Sequence, residues 1–317
     1  MGATAEAAVG RPRRRPLVWR RIANGSVPYL LVAPVVLVLF AVLAYPIYYL
    51  VRISLEDFTL FTLAKGVGPY IGLKNFSSVL HDQVFWHTLL RTVVFTAVNV
   101  TLTIVGGTLI ALLLKRLWTP VRILLTVGLI LVWAMPPVVA VQVWIWMTNV
   151  QNGVLNYVLT TLHFGNYDGH NWFGSPISSL GMATTLIVWG ALPFVVITVY
   201  AALSQVPHEL VEAAQIDGAP SWRVFKDVTM PVIAPILYLL TCLSILWDFG
   251  VFTQVYLLIG QPAIVPANYV MGIYLWEQAE VLDLYGRGAA ISILMLVIVA
   301  AMSIFYVRRM VRTAEIT

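Results

Sequence analysis

The sequence predicts an all-α membrane protein with about six transmembrane helices, and three observations point there. The 317 residues are 60% hydrophobic and only 10% charged, with a mean hydropathy of +0.87, more apolar than a domain with a hydrated surface. The apolar residues fall into runs of the roughly 20 residues that a membrane-crossing helix needs. Lysine and arginine collect in alternate connections between those runs.

The expected spans run from Val27 to Val51, Thr88 to Leu114, Val121 to Met147, Leu180 to Leu203, Val232 to Ile259 and Ala289 to Val307. The first follows a basic tail, but its apolar part exceeds the usual signal-peptide core and no A-x-A-like site closes it, so it reads as a retained anchor. Pro34, Pro46, Pro136, Pro137, Pro193 and Pro235 lie in or at the ends of spans. Kinks there require neighbouring helices to satisfy the freed carbonyls, which implies a bundle. The sequence thus divides into a basic tail (1–26), a six-span domain (27–307) and a C-terminal tail (308–317).

Orientation follows from the cations. Arg11, Arg13, Arg14, Arg15, Arg20 and Arg21 precede the first span; Lys115, Arg116 and Arg122 sit in the second connection, Arg223 and Lys226 in the fourth, and Arg308, Arg309 and Arg312 after the last. These are 14 of the 19 basic residues. The connection 148–179 has none and that at 261–288 only Arg287, so both termini and the fourth connection are expected in the cytoplasm. A net charge of +5 is thereby read as a topology signal at the membrane lipid, and no nucleic-acid partner is expected. Cys242 stands alone, excluding a disulfide framework. The five histidines, His81, His87, His163, His170 and His208, show no ligand spacing, so no metal is expected, and no catalytic constellation is present.

The fourth connection is unusually polar and ordered. "VEAAQIDGAPSWRVFKDVTMPVIAP" carries five charges and reads as two short helices. Pro207 suits a first helical turn, with Glu209 near its positive end. Glu212, Ala213 and Ala214 continue that helix, and Gly218 ends it in a left-handed conformation. Ala219 and Pro220 turn the chain and Ser221 caps a second helix, on which Trp222, Phe225 and Val228 form an apolar edge. An amphipathic hairpin on the lipid surface and a docking element need the same edge, so pattern alone leaves both open.

Glu212, Ala213, Ala214, Gly218 and Pro231, in this order and spacing, resemble the EAA loop of ABC importer permeases, and the wording around Asp217 resembles their carbohydrate-uptake branch of the maltose and glycerol-phosphate type. Pro220 departs from the usual serine and stiffens the turn. "PYLLVAPVVLVLFAVLAYPIYYLVRISLEDFTL" and "YIGLKNFSSVLHDQVFWHTLLRTVVFT" are similar to the first two spans and outer loop of the same family, and "WDFGVFTQVYLL" resembles permeases for amino-sugar disaccharides such as chitobiose.

The resemblance implies a type I ABC importer permease fold in a bacterial plasma (inner) membrane. It also implies that the loop at about 207–231 is a coupling helix in a cleft of a cytoplasmic ATPase dimer, met by Glu212, Ala213, Ala214, Asp217, Gly218, Trp222, Phe225 and Pro231. No G-x-x-x-x-G-K-[ST] phosphate loop occurs, so ATP and magnesium are expected on the partner ATPase, with no cofactor in this chain. A second six-span permease, an extracellular solute-binding protein and a carbohydrate substrate complete the expected partners.

Within the spans, Asp248 costs a few kcal/mol by insertion scales. With Trp247 and Gln254 it offers the aromatic face and hydrogen-bonding groups that sugars need, and i, i+4, i+7 spacing places Trp247, Val251 and Gln254 on one helical stripe. A structural hydrogen bond from Asp248 to a neighbouring helix or a partner subunit is the other reading. "GNYDGHNWFG" is expected as a hairpin or irregular cap, Arg91 to snorkel to the interface, and Gly106 and Gly107 to mark close helix packing. A secondary transporter is expected to show inverted repeats and intramembrane charge pairs, a membrane enzyme a catalytic constellation, and a scaffold needs no pathway.

Overall fold

The computed structural model describes residues 17–260 and 264–314. The tail arginines Arg11, Arg13, Arg14 and Arg15 and the last residues of the C-terminal tail lie outside the described residues. Two compact units result, one up to Arg52 and one from Ile53. The helices are α1 (Leu17–Ser54), α2 (Leu60–Leu63), α3 (Lys74–Leu80), α4 (Gln83–Arg116), α5 (Thr119–Trp133), α6 (Pro137–Met147) and α7 (Val154–Thr161). They continue with α8 (Pro176–Leu203), α9 (His208–Ile216), α10 (Ser221–Arg223), α11 (Met230–Phe249), α12 (Thr253–Ile259), α13 (Met271–Trp276) and α14 (Tyr285–Ala314). Among the described residues the β-structure is an isolated bridge between Glu56 and Tyr70.

Five stretches are long and apolar enough to cross a membrane: Tyr29–Ser54, Gln83–Arg116, Pro176–Leu203, Ser221–Phe249 and Tyr285–Val311. The sixth expected span is α5 and α6 together, bent by 100° between Trp133 and Pro137. The straight helix expected over Val121 to Met147 is thus corrected. Pro136 and Pro137 supply no N–H to the helical ladder, and a residue before proline is pushed out of the helical region. A second correction concerns the fifth span, which ends at Phe249 and not at Ile259; Gly250 to Phe252 interrupt it and α12 follows as a separate helix.

Several spans outrun their expected ends because caps extend them. The Asp82 side chain accepts the Val84 N–H at 2.8 Å and opens α4 a turn early. Ser175 and Ser178 form a reciprocal capping box at the start of α8, satisfying helical donors that would otherwise be orphaned.

Helix α4 is the spine of the second unit, lying beside α8 and against α11. Lipid offers no hydrophobic drive for helices to pair, so close approach through small residues matters. A Cβ on Gly107 would stand 2.5 Å from Cγ1 of Val195, and one on Gly106 3.4 Å from Leu192, which bears out the reading of this glycine pair. Lys115 donates to the Leu203 carbonyl at 3.3 Å, answering the C-terminus of α8. Around these contacts Ala111, Leu114, Val196, Val199, Leu203, Ile233 and Leu240 form one buried cluster. Phe85, Phe95, Leu186, Phe249, Tyr274 and Ile291 belong to a second.

Because Val195 cannot retreat within a packed helix pair, we predict that Gly107→Ala destabilises the detergent-purified protein by about 1–3 kcal/mol. Gly128→Ala, whose Cβ meets nothing within 4 Å, is expected to leave the thermal midpoint unchanged. Equal midpoints for both variants would show that this packing is loose.

Candidate functional site

A cavity of about 560 Å³ opens where the two interrupted spans face each other across α8. The break between α5 and α6 contributes Trp133, Met135 and Pro137, α8 contributes Leu186 to Phe194 in part, and the break after α11 contributes Trp247, Asp248 and Gly250 to Gln254. Non-helical backbone at membrane depth is tolerable only where it is buried in protein or lines an aqueous space. Both breaks meet that condition here.

Its aromatic wall is a ladder drawn from three helices. Trp247 meets Phe194 edge to face at 5.7 Å between centroids, and Phe194 stacks on Trp133 at 6.3 Å and 18°. Trp247 is 56% exposed within the chain while Asp248 beside it is only 6% exposed. The Asp248 carboxylate lines the cavity, and among the described residues no hydrogen bond or ion pair holds it. Within this chain, the alternative of a structural hydrogen bond to a neighbouring helix is therefore not formed among the described residues.

Trp247, Asp248 and Gln254 do share one cavity, but not by the route expected. Gln254 sits on α12, past the break, so the i, i+4, i+7 stripe does not exist as a helical face. Val251 is buried at 7% exposure.

The loop at 207–231 lies at the opposite end of the fifth span from this break. Helix α9 ends as expected: Gly218 has φ +77°, its N–H reaches the Gln215 carbonyl at 3.0 Å and the Ala219 N–H reaches that of Ala214 at 3.0 Å. These are the two bonds of a Schellman termination. Glu212, Ala213, Asp217 and Gly218 are exposed and Ala214 half-buried. Trp222 is 59% exposed, with the cations of Arg223 and Lys226 5.7 and 5.8 Å from its ring.

The second short helix is corrected. Ser221 opens a helix that runs through a π-helical turn, Val224–Thr229, directly into α11. Pro231 is consequently near the start of α11, and Phe225 and Val228 are half-buried. Sequence reading missed Leu210 and Ile216, 50% and 85% exposed at the same end; Ile216, beside the glycine turn, was the available signal.

Two polar groups hold the face opposite the loop. Arg91 does not snorkel; it donates to the carbonyls of Pro266 and Tyr269 at 3.0 and 2.8 Å, and next to it Thr92 accepts the Met271 N–H at 2.9 Å. Asp82, besides capping α4, accepts the Tyr274 hydroxyl at 2.8 Å and pairs with Arg287. Burial, then the Asp82 hydrogen bond, pushes the Tyr274 phenol up to about 12, so it remains a donor at ordinary pH. "GNYDGHNWFG" forms an irregular cap: Tyr167 stacks on Trp172 at 5.7 Å and 7°, and the Trp172 indole donates to Asn156.

A missed feature runs along α4, where Thr88, Thr92, Thr96, Asn99 and Thr103 are all at most 2% exposed. Their helical spacing was readable, but threonine in an apolar run looks neutral. Neither amide atom of Asn99 has a partner among the described residues.

We predict that Asp82→Ala, which removes a cap and two charge-assisted bonds together, lowers stability by about 1–3 kcal/mol. A thermal melt of the purified protein checks this, and an unaltered midpoint would show that the clamp contributes nothing.

Comparison with known proteins places the chain. Residues 103–312 match the family of binding-protein-dependent transport system inner membrane components. The diacetylchitobiose uptake system permease protein of Streptomyces coelicolor is 37% identical over 92% of this chain and 89% of its own length. The trehalose/maltose transport system permease protein of Thermococcus litoralis is 32% identical over 88% and 92%. A bacterial ABC transporter involved in the import of alginate shares the fold, with a TM-score of 0.76 at 18% identity, over 93% of this chain and 99% of that one. The chain is thus a multi-pass membrane protein with the type I ABC importer permease fold, and it belongs to the inner-membrane permease components of binding-protein-dependent transport systems.

Proposed function

We propose that this chain forms half of the membrane pathway of an ATP-driven importer for oligosaccharides, with the cavity at the two helix breaks as its solute site. The observation that carries the reading is a buried, unpartnered carboxylate, Asp248, beside the aromatic ladder of Trp247, Phe194 and Trp133. Sugars present hydroxyls to a carboxylate or amide and C–H faces to an aromatic ring, so this wall and Gln254 suit them. The cavity lies in the range usual for small-molecule sites. The uptake systems named for diacetylchitobiose and for trehalose and maltose among the relatives support a disaccharide or longer sugar.

A second permease chain closes the pathway, and an extracellular solute-binding protein delivers the sugar. Both termini and the 207–231 loop face the cytoplasm, as the basic residues favour. There Glu212, Ala213, Ala214, Asp217 and Gly218 dock in a cleft of the ATPase, flanked by Trp222, Phe225 and Pro231. ATP and magnesium are bound by that ATPase dimer, and this chain holds no cofactor. The exposed apolar groups Leu210, Ile216 and Trp222 favour docking in a protein cleft over a free hairpin. A secondary transporter is disfavoured, since among the described residues Asp248 has no intramembrane charge partner of the kind such pumps use.

Two variants test the reading in vesicles containing the assembled importer. Gly218→Trp strains a left-handed residue by about 1–2 kcal/mol and puts bulk where a Cβ meets nothing of this chain within 4 Å. Uptake and ATPase pull-down are expected to vanish while the protein remains inserted; survival of both would remove the docking role. Trp247→Ala is expected to reduce sugar uptake severely and Asp248→Asn moderately, with the complex assembling in both. Normal uptake by Trp247→Ala, with assembly failing in Asp248→Asn, would make this wall a structural interface.

A further inference from the structure

Beyond the cavity, three aromatic rings cluster on the side away from the 207–231 loop. Phe252 lines the cavity and stacks on Tyr256 at 5.1 Å and 17°. The Trp276 ring lies 4.7 Å from Tyr256 and 6.0 Å from Phe252. Gly272 lets α13 and with it Trp276 come to this place, because a Cβ there would stand 2.6 Å from the Val251 carbonyl oxygen at the helix break.

Each ring is half-buried. Neither the Tyr256 hydroxyl nor the Trp276 indole N–H has a hydrogen-bond partner among the described residues. The indoles of Trp86 and Trp172, by contrast, donate to Leu80 and Asn156. Neither the Tyr256 nor the Trp276 donor atom is buried, so both are open to a ligand. Glu277 follows at the start of a π-helical turn, Glu277–Val281, a local geometry frequent at functional sites, and its Oε2 is buried without a partner among the described residues. Burial raises the Glu277 carboxyl above its ordinary range.

We propose that Phe252, Tyr256 and Trp276 form a second saccharide subsite, which stacks one pyranose ring of a longer oligosaccharide while another ring meets Trp247 in the cavity. The proposal rests on the sugar-import reading above. It differs in locating a contact that only chains longer than a disaccharide use in full. The free donors of Tyr256 and Trp276 address ring hydroxyls, and the Phe252 ring joins the two subsites because it belongs to both.

The test is uptake by the assembled importer in proteoliposomes with its binding protein. The substrates are radiolabelled diacetylchitobiose and its tetrasaccharide homologue, with maltose and maltotetraose as a second pair. Trp276→Ala is expected to lower tetrasaccharide uptake relative to disaccharide uptake by about tenfold, with Trp276→Tyr close to wild type, because one lost stacking contact is of that size. Trp247→Ala is expected to lower both lengths alike. If Trp276→Ala and Tyr256→Ala leave the ratio unchanged, whether by sparing both lengths or by lowering them equally, the cluster is packing and the subsite is wrong. If the wild-type importer moves none of the four sugars, the sugar reading itself fails and takes the subsite with it.

Discussion

Everything in this molecule depends on one constraint: a backbone N–H or C=O inside the hydrocarbon must find a partner, since lipid supplies none. Most of the chain obeys by being helical. At the interruptions, 134–136 and 250–252, local bonds such as Ala134 N–H to the Ile130 carbonyl and Val251 N–H to the Asp248 carbonyl replace the regular ladder, and both interruptions line the same cavity. The constraint thus bears directly on where the cavity forms. An aqueous space is the alternative to a helix partner, so two broken helices facing each other imply a space between them.

Holding two breaks in register requires something rigid beside them, and α4 serves. At one end Asp82 ties it to Tyr274 and Arg287. A turn or two further, Arg91 and Thr92 hold the connection into α13. Gly107 admits Val195, and Lys115 closes on the end of α8. Polar groups do most of this work because apolar side chains gain nothing from leaving lipid for one another. The ties concentrate on residues that look incidental in an apolar run.

At the other end the 207–231 loop runs into the fifth span without a non-helical hinge. The Schellman turn at Gly218 ends α9 with its carbonyls satisfied, and from Ser221 the chain is helical without interruption to Phe249. A single helical rod therefore connects the end of the 207–231 loop to the cavity wall at Trp247. Along that rod Pro235 removes one ladder donor, and the π-helical turn at Val224–Thr229 buries Val224 and Thr229 rather than the expected edge residues.

The sequence by itself determined the class of the protein, the number of crossings and the ends of α9. Hydropathy, charge and a left-handed glycine are local properties that no tertiary contact reverses. Trp247, Asp248 and Gln254 were legible as a polar-aromatic group inside a span, for the same reason. What only the tertiary structure decided was how they meet. The helical stripe drawn through them failed because Gly250 is permissive: it neither forces nor forbids a break, and the close approach of α13 at Gly272 accompanies the choice. Arg91 likewise reads as a snorkelling cation until a loop some 175 residues away supplies its carbonyls. Long-range partners of that kind leave no local pattern, because the chain's periodicity records which face a residue occupies and not what another segment brings to it.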